Sequence, residues 1–458
     1  MARKTLSIAF VTLLLPVLVS CTPGPDHVRP ETHADKTAKF VNVPEEQDTK
    51  NLKQFQDGMS HWWRHIKDPA IHSDIAVLLQ QNLDLKQAQA RINQSRQQIK
   101  VNAGMLAPMV TLDASRNRNF RPAEEFGNIF GGAGAPAGTG TTRVFDTSIE
   151  GSATASWQID LFGQIRNQVA ASEARFAAAQ MDKEALLHSL IAELVRRRVA
   201  IASLGRQLDL AQNIVQNRQN LLEVLGRRYD LGSAGITSSD ILTARRAVAS
   251  VQSDIPDIEQ AMQEELYAVD VLLGRRPGTT RPRLDEVNLE TPELDIPVGI
   301  PAYLLDRRPD LRSAELRLLA ENKDIGVAIS NLYPSFSISG NLGFEDETTN
   351  NLFVAERLIG SAIAQASATL FQGGALRARI RLEEAQKDEL VASYTKDVLT
   401  AIQEVETALM QERKILQRLD LIEAETGSAK ARAKTQRRRY EKGILALSDY
   451  LESELDFY

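Results

Sequence analysis

Two long segments of the chain, residues 164–231 and 375–442, carry apolar residues at helical spacing and contain no proline. Helices of about 68 residues would be ~100 Å long, far longer than those of globular domains. In the second segment, apolar residues at intervals of three, four and seven form a coiled-coil seam of Val391, Val398, Ile402, Val405, Leu409, Leu416 and Leu419. Charged and polar residues occupy the other faces. We expect these helices to pair with each other and with neighbouring copies of the chain.

Four shorter segments alternate apolar and polar residues, as strands do when their two faces meet different surroundings. The predicted strands are 110–116, 148–159, 335–344 and 361–371, of which the last is Ala-rich and weakly patterned. Lengths near ten residues suit tilted strands that cross a membrane, with apolar side chains towards lipid and polar ones towards a wet interior. Half of a soluble sandwich is the alternative, and four strands would be a very small sheet beside such long helices.

The chain contains two copies of one unit, each expected to run helix, strand, loop, strand, long helix, turn and helix. The matching pairs are Pro108 with Pro334, Phe162 with Phe371 and Gly232 with Gly443, at offsets of 226, 209 and 211 residues. A Gly-rich stretch at 127–140, predicted to be an extracellular loop, accounts for the change in offset.

The division into domains follows from this repeat. We assign residues 68–290 to the first copy and 291–458 to the second. The chain ends nine residues after Asp449, whereas the first copy continues from Asp240 through Leu272. The sequence therefore predicts that the second returning helix is largely truncated, which would give a shortened product or a weakened channel.

The N-terminus predicts export and lipid attachment. Residues 1–20 combine a basic start with an apolar stretch and end in Leu-Val-Ser before Cys21, the only cysteine. This pattern resembles a bacterial lipobox, so we expect Cys21 to carry a lipid, and Thr22 after it favours the outer membrane. A buried structural cysteine is the alternative. Residues 21–67 are Pro-containing and without periodicity, so we predict an extended, lipidated arm.

Charge and motifs argue against several classes of function. A net charge of −6 lacks the basic face that a nucleic-acid partner requires. We find no nucleophile, nucleotide or His-Glu-x-x-His zinc motif, so the chain is predicted not to be an enzyme and to bind no metal or other cofactor. His61 and His65 lie at helical spacing, but they are better explained as residues flanking Trp62 and Trp63 than as metal ligands.

Closure of the sheet requires more than one copy of the chain. Strand edges left open in hydrocarbon would leave backbone polar groups without hydrogen bonds. Four strands are too few to close a barrel, so several copies must share one.

Several motifs resemble the TolC-like outer membrane factors, and most closely their lipoprotein branch in multidrug (RND-type) efflux. These are residues 62–64 (Trp-Trp-Arg), 68–70 (Asp-Pro-Ala), 82–85 (Asn-Leu-Asp-Leu), 157–163 (Trp-Gln-Ile-Asp-Leu-Phe-Gly), 305–312 (Leu-Asp-Arg-Arg-Pro-Asp-Leu-Arg), 325–328 (Ile-Gly-Val-Ala) and 333–335 (Tyr-Pro-Ser). Each is weak alone, and together, in this order, they are specific. The resemblance implies a mainly α fold with a small β part. It also implies a homotrimer whose twelve strands form one outer-membrane barrel above an α-helical periplasmic tunnel.

The resemblance also implies roles for the two hairpin turns. Carboxylates there line the periplasmic mouth of the family's channels, and Tyr and Arg side chains tie hairpins together. The matching residues here are Tyr229, Gly232 and Asp240 in the first turn, and Tyr440, Gly443, Asp449 and Glu452 in the second. Helix capping is the alternative role for Asp240 and Asp449. The first turn is about two residues longer, and Leu445 stands where the family often has Arg.

The function predicted is a passive exit duct of a tripartite efflux system. It would dock a periplasmic membrane-fusion adaptor and serve an inner-membrane transporter that supplies the energy. One alternative is the outer-membrane duct of a type I protein secretion system. The other is a non-conducting coiled-coil lipoprotein that only spaces the membranes.

Overall fold

A computed structural model describes residues 22–31, 40–41, 62–64, 66, 68–122, 143–232, 235–280 and 307–457. The helices are α1 (Pro69–Gln81), α2 (Leu83–Gly104), α3 (Gln164–Asp230), α4 (Ser238–Leu272), α5 (Pro309–Ser330), α6 (Ala375–Glu441) and α7 (Leu447–Leu455). The strands are β1 (Met109–Pro122), β2 (Arg143–Ile159), β3 (Ser335–Asp346) and β4 (Leu358–Ser367). Within these ranges no helix has an apolar stretch long enough to cross a lipid bilayer.

The two long helices are confirmed almost to the residue. α3 and α6 each contain 67 residues and end one residue before the predicted limits. Each stops at a glycine with a left-handed backbone, Gly232 (φ 65°) and Gly443 (φ 69°), a conformation that other residues resist. The sequence located these helices well because absent proline and flanking glycine are local signals.

The four strands form one antiparallel sheet in the order β1-β2-β3-β4. β1 pairs with β2 from Met109 opposite Ser156, and β3 pairs with β4 from Ser335 opposite Ser367. β2 pairs with β3 although a long helical excursion separates them in sequence. Within the described protomer β1 and β4 are the edge strands, so each has one side without a neighbouring strand.

Strand boundaries differ from the predictions in all four strands. β2 begins at Arg143 rather than at residue 148, and β3 ends at Asp346 rather than at residue 344. β1 extends to Pro122 rather than ending near residue 116, because its polar second half continues to pair with β2. β4 spans Leu358–Ser367 rather than 361–371, since pairing with β3 places Leu358 opposite Phe344. Phe371 therefore lies outside the sheet. The predicted extracellular loop at 127–140 lies outside the described residues.

The chain has two compact units. The first comprises Met1–Pro30, Ile92–Ala179 and Ser313–Tyr394, and it contains all four strands. The second comprises Glu31–Arg91, Gln180–Arg312 and Thr395–Tyr458, and it contains both hairpin turns. The division of the chain into two repeats remains a prediction.

The core of the second unit joins α1 to α3 and α4. Its buried members are Trp63, Ile71, Ile75, Leu78, Leu85, Leu190, Ile191, Leu194, Ile201, Leu266, Val269 and Leu273. Trp63 also meets the ring of His188 at a centroid distance of 6.2 Å. His61 and His65, predicted to flank the tryptophans, lie outside the described residues.

The predicted seam of α6 is buried only in part. Val398 is 1% exposed, whereas Leu416 and Leu419 are 58% and 49% exposed. Apolar side chains along the C-terminal half of this helix therefore remain open to solvent in the described protomer.

Candidate functional site

The two hairpin turns pack against one apolar cluster, here called the tip cluster. Its buried residues are Leu225, Ala244, Leu447, Tyr450 and Leu451, and Leu445 and Tyr440 pack against it. Because α3, α4, α6 and α7 all contribute, the turns of both hairpins form a single packed end of the second unit. Leu445 has an apolar role here, which explains an aliphatic residue at this position.

The second turn is built around a pair of stacked tyrosines. The rings of Tyr440 and Tyr450 lie 5.3 Å apart and 9° from parallel. Burial raises the pKa of the Tyr440 hydroxyl, an effect that the charge of Arg228 opposes and that of Asp240 adds to. Tyr440 thus lies near charged residues of the first hairpin, whereas Tyr229, the residue that the repeat prediction matches to it, is 46% exposed.

Both turns use glycine to reverse the chain. The amides of Gly232 and Gly443 donate to the carbonyl oxygens of Tyr229 and Tyr440, each at 2.9 Å. The longer first turn needs a second left-handed residue, Gly235 (φ 93°). The predicted difference in turn length is therefore visible in the backbone geometry.

Asp240 belongs to a capping box at the start of α4. Its carboxylate accepts hydrogen bonds from the backbone N–H and hydroxyl of Thr237 at 2.8 and 2.7 Å. The Thr237 Oγ1 accepts from the Asp240 amide at 3.3 Å. This reciprocal pair satisfies donors that a helix start leaves free. Thr237 was not singled out above, although its spacing from Asp240 is the sequence signature of such a box.

Asp449 occupies the same helical position in α7 without the same partner. The N-cap residue is Ala446, which has no side-chain oxygen, and no side-chain cap bond forms there. The Asp449 carboxylate accepts from the Ser448 hydroxyl at 3.2 Å and is exposed, as is Glu452. The two carboxylates of α7 are therefore open to solvent.

Comparison with known proteins places the chain in a family. Residues 75–275 and 300–458 match the family described as "Outer membrane efflux protein". The chain belongs to this family. The predicted resemblance to outer-membrane efflux channels and the mainly helical fold are thereby confirmed.

Individual relatives agree with the family match. The chain is 25% identical to the toluene efflux pump outer membrane protein TtgF of Pseudomonas putida, over 95% of this chain and 88% of that protein. It is 27% identical to the outer membrane protein OprJ of Pseudomonas aeruginosa, over 86% and 79%. The solved outer-membrane channel OprN is similar with a TM-score of 0.79 and 28% identity, over 95% and 93%.

In this outer membrane efflux protein, aromatic side chains cluster where the sheet meets the helices. Phe162 and Tyr333 stack at 4.7 Å, and Phe336 lies 6.5 Å from Phe162. The Trp157 indole N–H donates to the Leu106 carbonyl at 2.9 Å. Aromatic rings with polar tips are typical of the membrane–water boundary.

A charged cavity of about 600 Å³ lies in the first unit of the efflux protein, between the ends of α3, α5 and α6. It is lined by carboxylates and by the guanidinium groups of Arg175 and Arg379. Burial raises the pKa of Glu321, and the nearby charges of Asp324 and Glu383 add to this shift. In the described part of the chain no group of three or more His, Cys, Asp or Glu side chains converges as a metal site would require.

Proposed function

We propose that this outer membrane efflux protein works as a passive homotrimeric duct of a tripartite pump. Three copies would share their strands in one barrel, with a periplasmic adaptor docked at the hairpin turns and an inner-membrane transporter supplying energy. The main support for a trimer is the sheet itself, because β1 and β4 each have an unpaired edge in the described protomer. In hydrocarbon those edges need strands from another copy.

The exposed apolar residues of α6 support the same arrangement. Leu416 and Leu419 continue the coiled-coil seam beyond the part that is buried within the protomer. A neighbouring copy would remove them from water, which is the main driving force for association of such faces.

We further propose that Asp449 and Glu452 line the periplasmic mouth. Both carboxylates are exposed on α7, beside the packed tip cluster that holds the turn in place. In a trimer they would form acidic rings, which attract cations and repel one another. Asp240 differs, because its carboxylate is engaged in the capping box.

Conductance of the full-length protein in planar bilayers tests the duct. We expect discrete channels whose cation preference falls when Asp449 and Glu452 are both replaced by Ala. Asp26→Ala serves as the control, because it removes an exposed carboxylate from the N-terminal arm and should leave selectivity unchanged. Absence of conductance from a purified trimer would favour the spacer lipoprotein instead.

Lipid attachment at Cys21 is part of the proposal. The lipobox-like sequence and the outer-membrane family support it, and Cys21 itself lies outside the described residues. Mass spectrometry of the N-terminal peptide is the direct test. A peptide that begins at Cys21 with diacylglyceryl and acyl masses is expected, and an unmodified thiol there would refute the anchor.

A further inference from the structure

The arm that follows Cys21 is held on the first unit by contacts spread along its length. Residues 22–29, here called the strap, make hydrogen bonds with α3 and α5. The Asn167 amide donates to the Pro23 carbonyl at 3.1 Å, and His27 Nδ1 lies 3.1 Å from Asn322 Nδ2. The Arg29 guanidinium donates to both carboxylate oxygens of Glu315 at 3.0 and 2.7 Å.

The strap fits a narrow slot that exists because two residues lack side chains. A Cβ on Gly326 would lie 2.7 Å from Asn167 Nδ2 and 2.8 Å from the Pro23 carbonyl oxygen. A Cβ on Gly163 would lie 2.5 Å from Thr22 Cγ2. We call Gly163, Asn167 and Gly326 the strap slot, since any larger residue at either glycine would occupy the space of the strap.

The glycine in α5 is costly for the helix that contains it. Gly326 lies inside α5, where glycine lowers helix stability relative to alanine. Gly163 has a left-handed backbone (φ 70°) that glycine favours regardless of the strap, so Gly326 is the more informative of the two. Close approach of another backbone is a physical reason for a glycine within a helix.

Comparison of the two repeats indicates that the slot serves the strap specifically. With the offset of 226 residues, Gly326 and Asn322 correspond to Lys100 and Arg96 in α2. There the Arg96 guanidinium lies over the Phe176 ring, 5.4 Å from its centroid. The repeat prediction matches α2 to α5, and only α5, which contacts the arm, has glycine at this position, where α2 has Lys100.

We propose that the strap slot positions the membrane anchor of this efflux protein. The slot holds Thr22 against Gly163, in the turn between β2 and α3 at the end of the strands. Acyl chains on Cys21 would then enter the bilayer beside the sheet of the same protomer. The consequence at the membrane rests on the proposed lipidation, whereas docking of the strap does not.

The mobility of a nitroxide on the strap tests the docking in the full-length, membrane-extracted trimer. Val28 is 77% exposed, so Val28→Cys offers a labelling site that leaves the docking contacts in place. Gly326→Ala should shift the equilibrium from immobile to mobile label by about tenfold, or ~1.4 kcal/mol. Gly226→Ala is the matched control, because it is also a helical glycine but has nothing within 4 Å of an added Cβ.

The outcomes distinguish a failure of strap docking from a failure of lipidation and from misfolding. If the label in Gly326→Ala stays as immobile as in Gly226→Ala, the slot does not hold the strap and the proposal is wrong. Should Gly326→Ala fail to form trimers, Glu315→Gln decides, since it weakens the Arg29 pair without adding volume. We expect that variant to release the label in part, and no release would overturn the proposal. Labelling at Cys21 as well, seen by mass, would refute lipidation alone.

Discussion

Removal of the Asp240 carboxylate and removal of the Asp449 carboxylate should have different consequences, although the two residues hold the same helical position. Asp240→Ala deletes two hydrogen bonds to Thr237, at 2.8 and 2.7 Å, that complete the cap of α4. Loss of a cap of this kind costs about 1 kcal/mol. Asp449→Ala deletes one bond from a neighbouring serine at 3.2 Å and no cap.

Hydrogen exchange of the two turns, followed by mass spectrometry, measures this difference. In Asp240→Ala we expect protection of the amides around 237–241 to fall ~5-fold, which corresponds to the cost of the lost cap. In Asp449→Ala, exchange around 446–450 should change less than ~2-fold, because only a weak interaction with the helix dipole is lost. Unchanged exchange in an Arg227→Ala variant, on the exposed end of α3, would show that effects stay local.

Equal losses of protection in the two variants would refute this reasoning. Asp449 would then be a capping residue like Asp240, and its proposed place at the channel mouth would lose its structural support. If Asp449→Ala changes ion selectivity without a change in exchange, capping is excluded as its main role.

Two further predictions concern stability away from the turns. The buried Asp270 carboxylate accepts from the amides of residues 278–280 and from the Thr280 hydroxyl, at 2.6–3.0 Å. Burial alone would raise the pKa of Asp270, but these hydrogen bonds lower it below the ordinary value of 3.8. The stability that the ionised carboxylate contributes to the fold is therefore present above pH 3.8 and is lost as pH falls through the folded-state pKa. Asp270→Asn should therefore reduce protection of those amides ~30-fold at neutral pH and by progressively less as the pH falls below 3.8, and a pH-independent loss would contradict the assignment. In β3, Gly343→Ala should destabilise the protein by ~1–3 kcal/mol, because the added Cβ would lie 2.5 Å from Ser152 Cβ. Gly340→Ala, whose Cβ would be 3.7 Å from its nearest neighbour, is the control, and thermal unfolding that does not distinguish the two would contradict the prediction.

Much of the fold could be predicted because its signals are local. The long helices α3 and α6 follow from the absence of proline between two glycines, and the strands follow from alternation over about ten residues. The limits of β4 could not be found in this way, because its Ala-rich sequence pairs in a register that β3 imposes.

The candidate site was predicted as a set of residues, but their individual environments were not. Repeat matching located the turns and their carboxylates. It did not separate Asp240 from Asp449, although Thr237 three residues before Asp240 is a local capping-box signal that Ala446 cannot supply. Stacking of Tyr440 on Tyr450, by contrast, depends on how α7 folds back onto α6.

The sequence by itself determined the helices, the approximate positions of the strands, the turns and the family of this efflux protein, since periodicity, glycine and motif order act over short stretches of chain. The tertiary structure decided which side chains meet across those stretches. It brought Pro23 to Gly326, two segments about 300 residues apart, and it stacked Tyr440 of α6 on Tyr450 of α7. Such contacts depend on packing between elements, and no local pattern encodes them.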